Sequence, residues 1–188
     1  MIVNEIIKSF DGKKVLDNFS AEFEKGKVYC IMGKSGCGKT TLFNIICGLV
    51  KADSGTCSGV DKIGAVFQED RLCERLSAYA NVRLVCTKSV SHASIEKALL
   101  KVGLTNEDIR QPVSKLSGGM KRRTAIVRAV LSECGIIMMD EPFKGLDTAT
   151  RYETIKYILN NADGRTLIVI THDKTEAELL GGELICMG

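Results

Sequence analysis

The chain has 188 residues, enough for one core with a modest insertion and too few for two ordinary domains. A core of this size buries roughly 70% of the unfolded surface, so no disulfide or metal staple is required. Hydrophobic residues at 45% and charged residues at 26% exclude a disordered chain, and a net charge of +3 excludes nucleic-acid binding driven by bulk charge.

Alternation through Ile2 to Lys8, and again through Val15, Phe19, Ala21 and Phe23, predicts two half-buried strands joined at Asp11-Gly12. After Lys25-Gly26, Val28 to Met32 is wholly apolar, as in a strand covered on both faces. Glycines follow at 33, 36 and 38, then a predicted helix from Thr40 to Leu49 and a strand from Ile63 to Phe67. From about Asp70 to Pro112 the texture changes. Leu72, Leu76 and Tyr79, then Ile95, Leu99, Leu100 and Val102, recur at helical spacing with no strands between them, which predicts a small helical insertion in an α/β core. A helix from Gly118 to about Ser132 comes next, followed by strand Ile136 to Met139 and helix Thr148 to Asn160. Strand Thr166 to Ile170, helix Lys174 to Leu180 and strand Glu183 to Met187 complete the chain. The eight cysteines include no C-x-x-C pair, and only His92 and His172 accompany them, so a zinc site has little to build on. Asn4 and Glu5 interrupt any signal-peptide core, and no apolar run reaches the roughly 18 residues of a membrane span. A soluble, cytoplasmic protein is the expectation.

Gly33-Lys34-Ser35-Gly36-Cys37-Gly38-Lys39-Thr40 is an unbroken G-x-x-x-x-G-K-[ST] phosphate loop, set between a buried strand and a helix as that motif requires. Its glycines let successive N–H groups converge on phosphate oxygens, and the helix that follows adds its positive end. Lys39 is placed to reach the β- and γ-phosphates and the Thr40 hydroxyl to sit on Mg²⁺, with Thr41 adding a second hydroxyl. Such a loop needs an acid near the metal at the end of a neighbouring apolar strand. Gly135-Ile136-Ile137-Met138-Met139-Asp140-Glu141 supplies Asp140 for Mg²⁺, through water, and Glu141 to polarise an attacking water. Leu116-Ser117-Gly118-Gly119-Met120 opens another helix and so makes a second anion-binding end. One nucleotide cannot easily use two separate helix starts in so small a chain, whereas a second copy can supply the other.

These motifs, in this order, resemble the ATP-binding subunit of an ABC transporter over nearly the whole chain. The resemblance rests on the phosphate loop, Gln68 in Val66-Phe67-Gln68-Glu69, the Leu116 to Met120 signature, the Asp140-Glu141 strand end, Leu146-Asp147 and His172 in Thr171-His172-Asp173. It implies an α/β fold: a P-loop NTPase (RecA-like) core with an N-terminal antiparallel β subdomain and an inserted α-helical subdomain. Residues 1–69 and 113–188 would form the core and 70–112 the helical part of one 1–188 domain. It implies ATP and Mg²⁺ as cofactors, held between the phosphate loop of one subunit and Ser117-Gly118-Gly119 of another. Glu141 would be the general base, His172 would touch the γ-phosphate and the attacking water, and Gln68 would meet Mg²⁺ or the water. Asp147 would line the dimer interface, and Phe10 would stand where the family stacks an aromatic on adenine. The partners implied are a second ATPase subunit, integral membrane permease subunits and an external solute-binding protein, with no nucleic acid. The protein would then lie on the inner face of the cell membrane. Met120, Phe143 and the run Phe67 to Leu72 are similar to importers of nitrate, sulfonates and taurine. A small P-loop kinase would give no reason for Ser117-Gly118-Gly119. A non-transport ABC ATPase acting on nucleic acid or ribosomes typically has longer insertions than 70–112.

Overall fold

The alternating N-terminal sequence forms β1 (Ile2–Phe10) and β2 (Lys13–Glu22), which pair antiparallel. Asp11 and Gly12 between them have φ of 49° and 76°, the doubly left-handed turn that matches strand twist. The computed structural model describes residues 1–188. The chain continues through β3 (Val28–Gly33), α1 (Lys39–Ile46), β4 (Ser54–Ser58), β5 (Ile63–Val66), α2 (Ala78–Arg83), α3 (His92–Lys101) and α4 (Asn106–Arg110). It ends with α5 (Gly118–Leu131), β6 (Ile136–Asp140), α6 (Thr148–Asn160), β7 (Thr166–Ile170), α7 (Lys174–Leu180) and β8 (Glu183–Met187).

Two compact units result, one of residues 1–65, 134–140 and 164–188, the other of 66–133 and 141–163. The first unit contains two sheets, a three-stranded antiparallel one in the order β2-β1-β4 and a five-stranded one in the order β5-β6-β7-β3-β8. Strands β6, β7, β3 and β8 run parallel, so their carboxyl ends share one edge. Every residue of β6 and β7 is buried, which is why both read as continuous apolar runs rather than alternating ones. Strand β4 was not expected. Its sequence, Ser54-Gly55-Thr56-Cys57-Ser58, has no apolar alternation because it is an exposed partner of β1 held by backbone pairing. Gly55, at φ 87°, lies against the carbonyls of Asn4 and Glu5, where a Cβ would collide. The predicted 40–49 helix ends at Ile46, and Gly48 at φ 72° turns the chain away.

The second unit contains α2 to α6, whose buried Val82, Ile95, Leu99, Ile109 and Ile126 form its apolar centre. The helical spacing of Leu72, Leu76 and Tyr79 misleads at its start, since α2 begins only at Ala78. Residues 73–77 are held as a turn by the fully buried Asn81, whose amide donates to the carbonyls of Cys73, Leu76 and Ser77 and accepts from Cys73 N–H. The Leu76 and Glu74 carbonyls also accept from Val113 and Ser114 N–H, so they are unavailable to a helix ladder. No helix is long and apolar enough to cross a membrane.

All eight cysteines are free thiols. Cys30, in the middle of β3, is fully buried, and that burial pushes its thiol up to about 11. At pH 8.5 in native protein, exposed Cys73 and Cys186 are expected to alkylate first, and Cys30, buried and held largely as the thiol, far more slowly. Peptide mass mapping checks this; labelling of Cys30 in step with Cys73 would contradict the buried β3 position.

Candidate active site

In the first unit the strand β3 ends at Gly33 and the chain loops back into α1. Two loop positions demand glycine. Gly33 lies against the Met187 carbonyl, leaving no room for a Cβ. Gly38 has φ of 101°, and a Cβ there would sit 2.8 Å from the Val15 carbonyl oxygen and 2.7 Å from Leu16 Cδ2. Because Gly38 is the N-cap, α1 starts with no side-chain cap. The other six α-helices are each capped by a side chain: Ser77, Ser91, Thr105, Ser117, Asp147 and Asp173 accept N–H groups of α2 to α7 in turn. Helix α1 therefore presents its positive end to a ligand rather than to its own chain, the arrangement that binds phosphate.

Lys39, 9% exposed, folds over this loop. Its Nζ donates to the carbonyls of Gly33 at 2.7 Å and Lys34 at 2.9 Å and lies 3.9 Å from Cys37 Sγ. These bonds hold the ammonium within the loop, ready to exchange a carbonyl for a phosphate oxygen. Thr40 Oγ1 donates to Asp140 Oδ2 at 2.7 Å, joining the start of α1 to the end of β6. Asp140 is only 2% exposed. A hydroxyl and a buried carboxylate converging beside a phosphate loop are hard oxygen donors of the kind Mg²⁺ takes, so these residues fit that ion. Ser35 and Gly36 are exposed at the loop tip, and Thr41 is half-buried just inside α1.

His172 is exposed directly after β7. Its turn is tied by Thr171, whose N–H donates to Ile31 O at 3.2 Å and whose hydroxyl donates to Glu176 Oε2 while accepting Asp173 N–H. The Thr171–Glu176 bond was not anticipated from sequence, where only the spacing of a Glu five residues after a Thr at a strand end hinted at it; the structure buries that Glu. Phe10 is 46% exposed with Lys8 Nζ 5.2 Å from its ring centroid, so it is not a core aromatic.

The second unit holds the remaining candidates. Ser117 and Gly118 are exposed at the start of α5, and Ser117 Oγ accepts Met120 N–H at 3.3 Å. Gly119 packs against the turn that follows Glu141, where an added Cβ would come 3.3 Å from Leu146 Cδ2. Glu141 is half-buried with φ of 49°, a left-handed conformation costly for this residue and usual at functional sites. Asp147 accepts both the N–H and the hydroxyl of Thr150, at 2.9 and 2.6 Å, and so caps α6; these bonds hold its carboxyl below the usual range. Gln68 is exposed, and its carbonyl is held by Arg122, a contact that sequence reasoning missed.

The profile of the ABC transporter family matches residues 16–144. The chain belongs to this family. The aliphatic sulfonates import ATP-binding protein SsuB 1 of Streptomyces avermitilis is 34% identical over 187 residues, covering 98% of this chain and 72% of that protein. The lantibiotic transport ATP-binding protein SrtF of Streptococcus pyogenes is 34% identical over 189 residues, covering 95% of this chain and 82% of that one. Among solved structures, the ATP-binding cassette MJ0796, in a dimeric post-hydrolysis state bound to ADP and Pi, superposes with a TM-score of 0.86. It is 29% identical, covering 99% of this chain and 93% of that one. The ABC chain is thus an ATP-binding, ATP-hydrolysing transport subunit with the P-loop NTPase fold expected from its motifs.

Replacing Gly38 with Ala is expected to destabilise this ATPase by about 1–3 kcal/mol, from backbone strain and the collision with Val15. Nucleotide affinity should fall with it. Urea unfolding and equilibrium ATP binding read both; wild-type values in each would show that the loop does not depend on this backbone.

Proposed function

We propose that two copies of this ABC subunit close head to tail over two ATP molecules, and that closing and release drive a solute through membrane-spanning permease subunits. The observation that carries this reading is the start of α5. Ser117 and Gly118 are exposed, and the Ser117 hydroxyl, already accepting Met120 N–H, keeps its own proton to donate to a phosphate. The dimeric state of the MJ0796 cassette supports a second copy as the owner of that phosphate.

Within one pocket, Phe10 offers its exposed ring to the adenine. Gly33, Lys34, Ser35, Gly36, Cys37, Gly38, Lys39, Thr40 and Thr41 surround the phosphates, with Lys39 moving from loop carbonyls to the β- and γ-oxygens. Thr40, Asp140 and Gln68 would hold Mg²⁺, Asp140 through water. When bound, the ion neutralises charge that builds on the β- and γ-phosphate oxygens. Glu141 accepts a proton from water as the water oxygen bonds to the γ-phosphorus. His172 orients that water and contacts the γ-phosphate. The bond from γ-phosphorus to the bridging oxygen breaks, and ADP retains the electron pair. Without the γ-phosphate the two copies lose a shared ligand and separate, so hydrolysis shifts the closed–open population.

The subunit works on the cytoplasmic face of the membrane, docked on permease subunits, with no nucleic-acid partner. Import is the favoured direction, because Met120, Phe143 and Phe67 to Leu72 are worded like the sulfonate-type importers and one relative is a named sulfonate importer. An external solute-binding protein would then deliver the solute. The sulfonate and lantibiotic relatives are equally similar to this chain, so the ATPase sequence does not choose the cargo.

Glu141→Gln is expected to lower turnover by roughly 100-fold or more while leaving an ATP-bound dimer. Phosphate release and light scattering measure the two effects, and unchanged phosphate release would remove Glu141 as the base. Lys39→Ala and Ser117→Arg should each be inactive alone. Their mixture should regain hydrolysis, because the mixed dimer keeps one intact site. A silent mixture would exclude the two-copy site.

A further inference from the structure

Beyond β5 the chain leaves the sheet, and the carbonyls of residues 67–71 lose strand partners just where Gln68 must be presented. Two guanidinium groups of α5 take them over. Arg122 Nη1 donates to Phe67 O, Nη2 to Gln68 O, and Nε pairs with Asp70 Oδ1 at 3.2 Å. One turn and a half further along, Arg128 donates to Asp70 O at 3.1 Å and to Arg71 O at 2.7 Å. Arg71, at φ 45°, lays its own guanidinium on the Phe67 ring, 3.8 Å from the centroid. Arg122 is 7% exposed, whereas the Gln68 side chain is exposed. A buried planar fork therefore grips the backbone and leaves the amide free to work.

From this geometry we infer that Arg122 is a positioning residue for Gln68, with Arg128 as its second anchor. It also places Gln68 and Ser117 on one rigid element. Ser117 caps the same helix five residues earlier, about 7.5 Å along its axis. In the two-copy arrangement proposed above, on which this inference rests, Ser117 serves the partner's ATP and Gln68 serves its own. Any shift of α5 on closure then reaches the Gln68 backbone through Arg122 without an intervening loop. Lysine cannot replace this contact, since one ammonium lacks the guanidinium's fixed fork, whose two ends reach two carbonyls while its third nitrogen faces a carboxylate.

The test compares ATP turnover of the full chain as wild type, Arg122→Lys, Gln68→Ala and the two combined. A further variant, Arg122→Ala/Asp70→Asn, removes the fork without leaving a buried unpaired carboxylate. Both Arg122 variants should lose roughly 10-fold in kcat with KM for ATP little changed. The combined variant should be no slower than Gln68→Ala, because Arg122 acts through that residue. Amide exchange should rise over residues 66–72 and stay at wild-type levels across α3 and α4, which a general loss of stability would not produce. Losses that multiply, or Arg122→Lys at full rate beside a slow Gln68→Ala, would overturn the inference alone. Gln68→Ala at full kcat would overturn it together with the role given to Gln68.

Discussion

Backbone N–H groups can grip phosphate only where no acceptor within the protein has claimed them, and the first turn of α1 is such a place. Gly38 makes it so. Its left-handed backbone starts the helix without a side-chain cap, and its lack of a Cβ lets the loop pass against Val15 and Leu16. Around this opening the parallel sheet supplies the rest by direction alone. Strands β3, β6 and β7 all end at one edge, so the loop after β3, Asp140 at the end of β6 and His172 just past β7 emerge on the same side. The Thr40–Asp140 hydrogen bond ties two of these ends together.

The second unit is organised by polar grips on the backbone as much as by its apolar centre. Arg122 and Arg128 hold carbonyls in residues 67–71. Arg123 holds Gly119 O and Val102 O, and Asn81 holds the 73–77 turn. Most of these carbonyls lie where the chain enters or leaves a regular element, and the side-chain donors fix its course there. Withdrawing Arg122 from water fully, and Arg123 and Arg128 in part, is tolerable because carbonyls accept from their guanidinium groups and Arg122 also faces Asp70. The result is a set of loops that are irregular in course yet fixed in position, as residues meant to meet phosphate or water must be.

Glu141 shows the cost of such placement. Its left-handed backbone stores strain of about 1–3 kcal/mol. The buried Pro142 and Phe143 anchor the chain immediately beyond it, so the turn cannot relax outward. The strain redirects the chain at the end of β6, leaving Asp140 in the strand and Glu141 outside it.

The order of strands and helices was legible in the sequence wherever the apolar pattern was strong. The helices at 148–160 and 174–180 and the strands at 166–170 and 183–187 form over those spans. The phosphate loop, the signature and the Asp140-Glu141 pair were legible too, because a contiguous motif encodes its own local geometry. Polar β4 was not, since its partner β1 lies far along the chain, and the turn at 73–77 was not, since Asn81 and the N–H groups of Val113 and Ser114 hold it without leaving any local periodicity. The strain at Glu141 and the reach of Arg122 to Gln68 were likewise invisible. Each depends on what a group meets across 50 or more residues, or on a backbone angle that the surrounding packing imposes. Sequence alone determined which chemical groups exist and in what order; the tertiary structure decided which are held by the protein and which stay open to a ligand.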